Sequence, residues 1–416
     1  MNFLFLSMFL ISLSICLNSQ KTFLDSNENI RLYRQFKYWT LRIFEKMGVK
    51  EEMRREAKKT QRTQDPVSKD VPFPCKLEGT RSLDVPISVH KLRPGDIDIY
   101  AALGDSLTAG SGALGTKLYH LLTDNRGVSF LGGGEKTWRE YLTVANILKE
   151  FNPKLFGYSK TDSMTFEESA EFNLATMGAT IDDLPFMAQS LVELMKNDSR
   201  VDMKNHWKFI SIMMGANDFC SEMCYLEEPS LEIEYHESNL TAALRILRDN
   251  LPRTFVALVP PPHIRSIMDI DNRLPYCELV LEIECPCFFG PMAKRQNQKE
   301  LFDIMTRVQL LEGKIANREE FQRDDFAVVH QPFTVNLTFQ VINDDDNVHR
   351  THLAPDCFHI SQKTNARSAN AVWNLLLMPV GQKFAVWEDP FKRFNCPTST
   401  RPYIYTSQNS NKADQR

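Results

Sequence analysis

Four runs of apolar residues interrupt an otherwise mixed chain. Asp96 to Leu103 (DIDIYAAL), Lys208 to Met214 (KFISIMM), Thr254 to Val259 (TFVALV) and Phe326 to His330 (FAVVH) are short, continuous and largely uncharged. That pattern predicts strands buried on both faces. Between them the spacing turns helical, as over Asp183 to Met195 and Tyr235 to Asp249, and Trp373 to Pro379 falls in a closing helix that reads as core. Continuous apolar strands separated by helices imply an α/β chain with a mostly parallel sheet covered on both faces. No internal repeat is visible.

Upstream, Leu32, Phe36, Trp39 and Ile43 put one apolar stripe on a helix expected over Asn29 to Lys59. The dibasic pairs Arg54-Arg55 and Lys58-Lys59 lie in its last turns, then a polar linker from Thr60 to Asp70. Three readings stay open: a helix packed on the main body, a basic amphipathic element that meets anionic lipid, and a pro-segment removed at the dibasic pairs. Phe3 to Leu17 is an unbroken run of apolar residues and serines, shorter than the roughly 20 residues that span a bilayer. It reads as the core of a secretory signal peptide. No later stretch reaches spanning length, and Gln408 to Arg416 is polar, without a hydrophobic tail for a lipid anchor. The expected organisation is a signal peptide over 1–20, a basic helical segment and linker over 21–70, an enzymatic domain over 71–402 and a polar tail over 403–416. The expected location is extracellular.

Composition narrows the class. Hydrophobic residues are 43% and charged residues 25% of 416, which excludes a disordered chain and a polytopic membrane protein. With 49 Lys and Arg against 53 Asp and Glu, a strongly basic nucleic-acid binder is excluded as well. The charge is uneven, however: Lys21 to Arg62 carries a net +6 ahead of an acidic body. Removing Cys16 with the signal leaves eight cysteines, an even number that suits an oxidising compartment. Short loops suggest Cys220 with Cys224, and Cys277 with Cys285 or Cys287. Zinc at Cys285-Pro-Cys287 is disfavoured by the C-x-C spacing and the lack of a nearby His. Sequons at Asn197, Asn239 and Asn336 are possible glycosylation sites that fit secretion.

Active sites in such sheets gather where strands end at their carboxyl edge. The first strand runs into Gly104-Asp105-Ser106-Leu107-Thr108-Ala109-Gly110, the second into Gly215-Ala216-Asn217-Asp218. The fourth leads, after a long loop, to Asp356-Cys357-Phe358-His359. A serine hydroxyl needs a base to become a nucleophile, and His359 is the candidate. Asp356, three residues earlier and so about one helical turn away, can hold the imidazole's tautomer. The oxyanion of a tetrahedral intermediate needs donors, for which the Ser106 N–H and the Asn217 side-chain amide are suited. Taken singly, G-D-S reads as a turn and helix cap, Asn-Asp as a loop pair and D-x-x-H as a surface cap. Their order and their placement at strand ends point to acyl transfer. The remaining histidines, His263 and His330 among them, read as structural.

Together with Gly178 in Asn173-Leu-Ala-Thr-Met-Gly178-Ala179, these blocks resemble the four blocks of the GDSL or SGNH hydrolases, in that family's order. The similarity extends toward its phospholipase B branch through Val89-His-Lys-Leu-Arg-Pro-Gly-Asp, Asn146-Ile-Leu-Lys-Glu-Phe-Asn-Pro, Ala354-Pro-Asp-Cys-Phe-His and Trp373 to Lys383, and covers roughly Phe73 to Pro402. The resemblance implies a three-layer α/β/α domain. It implies a catalytic triad of Ser106, Asp356 and His359, and an oxyanion hole of the Ser106 N–H, the Gly178 N–H and the Asn217 side chain. It also implies acyl release from phospholipids and lysophospholipids at a membrane or micelle surface, with no metal, calcium or other cofactor. Ala216 departs from the branch, which often has glycine there, and its methyl is expected to tighten the loop beside Asn217. A competing G-x-G-x-x-G, Gly110 to Gly115 with Glu135 downstream, carries the nominal marks of a dinucleotide site. It does not follow the strand directly and is read as a turn beside the cleft. The expectation is a secreted serine esterase of phospholipase B type. A carbohydrate or small-ester acylhydrolase and a non-catalytic lipid-binding protein are the competing readings, and neither a nucleic-acid nor a stable protein partner is expected.

Overall fold

The computed structural model describes residues 27–270, 273–294, 296–335, 337 and 348–410; the signal-peptide run and Asn336 lie outside them. The described residues fall into two compact units, one ending at Val49 and the other beginning at Lys50. The single helix expected over Asn29 to Lys59 is two, α1 (Asn27–Lys46) and α2 (Val49–Lys59). The break falls at Gly48, whose φ of +70° ends α1 in the left-handed region that glycine tolerates.

The four expected strands form within a residue or so of their predicted bounds: β1 (Ile97–Gly104), β2 (Trp207–Met213), β3 (Thr254–Leu258) and β5 (Phe326–His330). A two-residue β4 (Gln322–Arg323) pairs antiparallel with β5 at the edge, and the order is β1-β2-β3-β5-β4. The four longer strands are parallel. Single bridges from Phe156 to Ile99 and from Asn173 to Ala102 extend the sheet beyond β1.

Alternate side chains feed two cores. Tyr100, Phe209, Phe255, Ala327 and Val329 pack under α4 (Val144–Phe151) and α11 (Gln362–Leu376), with Trp373 fully buried. Ile99, Ala101, Leu103, Ile210, Ile212, Val256 and Val328 pack on the other side under α5 (Leu184–Asn197) and α6 (Leu231–Asn250). Each large aliphatic side chain buried this way contributes roughly 1.5–3 kcal/mol. This is the α/β sandwich that the apolar runs imply. The remaining helices are the one-turn α3 (Ser106–Ala109), α7 (Arg265–Met268), α8 (Pro275–Glu284), α9 (Gln298–Ala316) and α10 (Val348–Thr351).

A further cluster holds Phe219, Met223, Ile264, Leu281, Phe288, Met305 and Phe358 beside the carboxyl edge of the sheet. Disulfides run through it: Cys220–Cys285, Cys224–Cys287 and Cys277–Cys357, while Cys75–Cys396 ties the two ends of the unit. The short-loop pairings expected from sequence are not the ones formed, and both thiols of Cys285-Pro-Cys287, where zinc was already disfavoured, are taken up in disulfides. Cys277, Cys285 and Cys287, in α8 or just after it, find their partners where that helix is laid against loops distant in sequence.

Among the described residues, no helix is long and apolar enough to cross a membrane.

Candidate active site

Gly104 and Met213 are paired at the ends of β1 and β2, so the chain leaves both strands at one level. A Cβ on Gly104 would meet the Met213 carbonyl oxygen at 2.5 Å, so only glycine permits that closeness. Asp105 then caps α3, its carboxylate accepting the Leu107 N–H at 2.9 Å. Ser106 is the first residue of that helix, where backbone N–H groups have no acceptor within the helix.

Asp356 and His359 arrive on a tight turn, and not on the helical turn that their spacing suggested. An antiparallel bridge between Leu353 and Ile360 closes the stem. One Asp356 oxygen accepts the backbone N–H groups of Phe358 (3.1 Å) and His359 (3.0 Å), and the other accepts a hydrogen bond from His359 Nδ1. Cys357 sits between them at φ +62° and is tied to Cys277 of α8. This turn brings His359 Nε2 to 2.7 Å from Ser106 Oγ. All three side chains are buried, Asp356 completely.

Burial pulls the His359 imidazole down, but the charge and hydrogen bond of Asp356, helped by Glu284 and Asp105, override it and hold it up at about 9. Asp105 is pushed up to about 6 by burial. The arrangement favours imidazolium, the species formed when a serine proton is taken.

Gly178 and Asn217 are locked together. Asn217 Nδ2 donates to the Ala179 carbonyl at 2.7 Å, and the Asp218 carboxylate accepts the Ile181 N–H at 3.0 and 3.1 Å. One amide hydrogen of Asn217 thereby fixes the side chain and leaves the other to donate. Gly178 adopts φ +77° with open space where a Cβ would stand, so conformation and not crowding requires glycine there. The Gly110–Gly115 motif follows α3 and forms turns, with Gly112 N–H bonded to the Thr123 carbonyl. It is separated from the strand end, as a dinucleotide site would not be.

Beside these groups lies a pocket whose space, its open mouth included, is about 680 Å³. Leu107, Ala216 and Phe358, each next in sequence to Ser106, Asn217 or His359, form part of its wall, and Phe130, Ile267 and Trp387 are among the rest. Ala216 thus contributes its methyl to the pocket wall. His263, read from sequence as structural, also lines the pocket, its Nε2 3.3 Å from the Phe302 carbonyl oxygen. The sequence carried no sign of these walls, because they come from separate elements that only the fold assembles. Of the described sequons, Asn197 is exposed, whereas Asn239 bonds Asp182 at 2.6 Å.

A family model described as GDSL-like Lipase/Acylhydrolase matches residues 100–372. The chain is 36% identical over 337 residues to "Phospholipase B1, membrane-associated" of Homo sapiens, covering 78% of this chain and 23% of that protein. The Mus musculus protein of the same name is 33% identical over 345 residues, covering 81% and 22%. The chain therefore spans about a quarter of the length of these relatives. Among solved structures, phospholipase A1 from Streptomyces albidoflavus NA297 aligns with a TM-score of 0.35 at 14% identity, covering 67% of this chain and 98% of that one.

Proposed function

The chain belongs to the GDSL-like lipase/acylhydrolase family and is an ester-hydrolysing enzyme, and from that premise we propose that it releases acyl chains from phospholipids and lysophospholipids outside the cell. The observation that carries the lipid assignment is the apolar pocket beside Ser106, His359 and Asn217, which suits a hydrocarbon chain and offers a sugar few partners.

In this reading Ser106 Oγ attacks the ester carbonyl while His359 Nε2 takes its proton, and the Asp356 carboxylate stabilises the imidazolium. The oxyanion is met by the N–H groups of Ser106 and Gly178 and by the free amide hydrogen of Asn217. His359 then protonates the departing glycerol oxygen, leaving an acyl-Ser106 ester. Water, deprotonated by the same imidazole, releases the fatty acid and restores the serine. The identity to proteins named phospholipase B1 supports the headgroup class. Disulfides and an exposed sequon at Asn197 support an extracellular site of action, where the enzyme meets membrane or micelle surfaces peripherally.

The test is fatty-acid release from diacyl phosphatidylcholine and its lyso form in calcium-free buffer, comparing the protein with Ser106→Ala. Release from both substrates, lost in the variant, is expected. Hydrolysis of a short soluble ester without release from either lipid would move the substrate to small esters.

A further inference from the structure

The stretch Thr60 to Gln64, just after α2, was expected to be a linker and lies outside residues 100–372 of the family match. In the fold it grips both stems of the turn that carries Asp356 and His359. The Arg62 guanidinium, nearly buried, donates to the Leu353 carbonyl, the residue whose bridge to Ile360 closes the turn. On the other stem, the Arg62 carbonyl accepts the Lys363 N–H at 2.8 Å, and the Gln64 N–H donates to Gln362 Oε1 at 2.8 Å. Gln64 is itself pinned, its Oε1 accepting the Leu142 N–H at 2.6 Å and its Nε2 donating to the Trp138 carbonyl at 3.1 Å. Upstream, Met53 and Ala57 are buried against Ala113, Leu114, Val128 and Tyr141. Arg54 pairs with Glu135 at 2.8 Å and with Asp162 at 2.6 Å. The strap is therefore anchored before and after the point where it holds the turn.

Given the roles proposed for Ser106, His359 and Asp356, we infer that Arg62 is a positioning residue, which sets the distance from His359 Nε2 to Ser106 Oγ by fixing the stem of the turn. The guanidinium touches neither substrate nor reacting atoms. Its effect passes through the Leu353 carbonyl, three residues before Asp356. Without it that buried carbonyl loses its partner, and the turn is held on one stem only. Displacements of about 1 Å between reacting groups cost on the order of 10²-fold in rate. Arg54 is half-buried in its ion pairs, and a cut between Arg54 and Arg55 would separate this anchor from the grip, so the dibasic pairs are not expected to be a maturation site.

The experiment uses the full secreted chain, a soluble butyrate ester and titration of active sites with a fluorophosphonate. Arg62→Gln is expected to lower kcat per titrated site by about 10- to 100-fold with KM within twofold, a split that lost folded protein alone does not produce. Arg62→Lys, which can still reach one carbonyl, is expected to recover most of that loss. Gln64→Leu, which unpins the strap from Leu142 and Trp138 and removes the Gln362 Nε2 bond to Gln64 Oε1, provides the reading if Arg62→Gln does not fold, with an expected loss of about three- to tenfold. Wild-type kcat per site in Arg62→Gln, or in Gln64→Leu when the former is not obtained, overturns the inference. Ser106→Ala in the same assay separates the two levels. Activity there would remove the proposed site itself, whereas an inactive Ser106→Ala beside a fully active Arg62→Gln would remove only the strap's role.

Discussion

Replacing Asp356 by asparagine tests charge and tautomer in one substitution. Asn Oδ1 can still accept the N–H groups of Phe358 and His359, so the turn keeps its backbone bonds. The other arm changes from an acceptor to a donor facing His359 Nδ1. That imposes the opposite tautomer, with a hydrogen on Nε2 pointing at Ser106, where no base then exists. The electrostatic support can be sized: against the pull of burial the imidazole stands at about 9, not the ordinary 6.5, a net difference of roughly 3 kcal/mol at about 1.4 kcal/mol per pKa unit, to which Asp356 is the largest favourable contributor. That alone corresponds to about 10²-fold, and the inverted tautomer brings the expected fall in kcat/KM to about 10³- to 10⁴-fold. The pH profile gives an independent check. A general base works when neutral, so kcat/KM of the native enzyme rises with pH through the His359 value of about 9. In the variant burial persists and the carboxylate is gone, so the residual activity should rise at lower pH, below the ordinary imidazole range. The assay is initial rates on a soluble ester across pH, with a thermal melt to establish that the variant is folded. A loss smaller than about tenfold, or a limb that stays near its native position, would refute the assignment of Asp356.

Three further outcomes are expected. Asn217→Ala should lower kcat by about 10²- to 10³-fold with little change in melting temperature; a loss below about threefold would remove its amide from the oxyanion hole. Ile267→Trp, which puts bulk into the pocket wall, should cut hydrolysis of long-chain esters at least tenfold and leave acetyl esters within about twofold, measured as a chain-length series. Equal effects on both would show that acyl chains bind elsewhere. The double variant Cys277→Ser/Cys357→Ser opens a link between residues 80 apart, so chain entropy predicts a destabilisation of about 4 kcal/mol by denaturant titration. A change under about 1 kcal/mol would mean that packing of α8 holds the turn without the bond.

The strands were legible because burial on both faces erases the usual alternation, leaving runs such as Phe326 to His330 whose ends coincide with the structure. The Ser106 and Asn217 blocks were legible for a related reason, since they stand where two of those runs stop, whereas Asp356 and His359 follow the last run only after a long loop. Cysteine pairing was not, because α8 meets Cys220 and Cys357 through tertiary packing that no spacing encodes. The three-residue interval of Asp356 and His359 fits a helix and a capped turn equally well, and the side-chain bonds of Asp356 to the backbone decided it. Arg62 illustrates the deepest gap. In sequence it is one more basic residue in a basic segment, and only folding brings it to Leu353, 291 residues away.

The strands β1, β2, β3 and β5 end at a common rim, which sets what the connections between them must do. Ser106 and His359 are 253 residues apart in the chain yet share a hydrogen bond: Ser106 stands just past β1, and His359 is brought to it by the turn that the Leu353–Ile360 bridge closes. Everything between two rim positions is an excursion that leaves and returns. Such excursions can lengthen, shorten or exchange while the reacting groups keep their places. A fold wired this way separates two kinds of position: strand ends bound by the geometry of the groups they carry, and connections whose length that geometry leaves open.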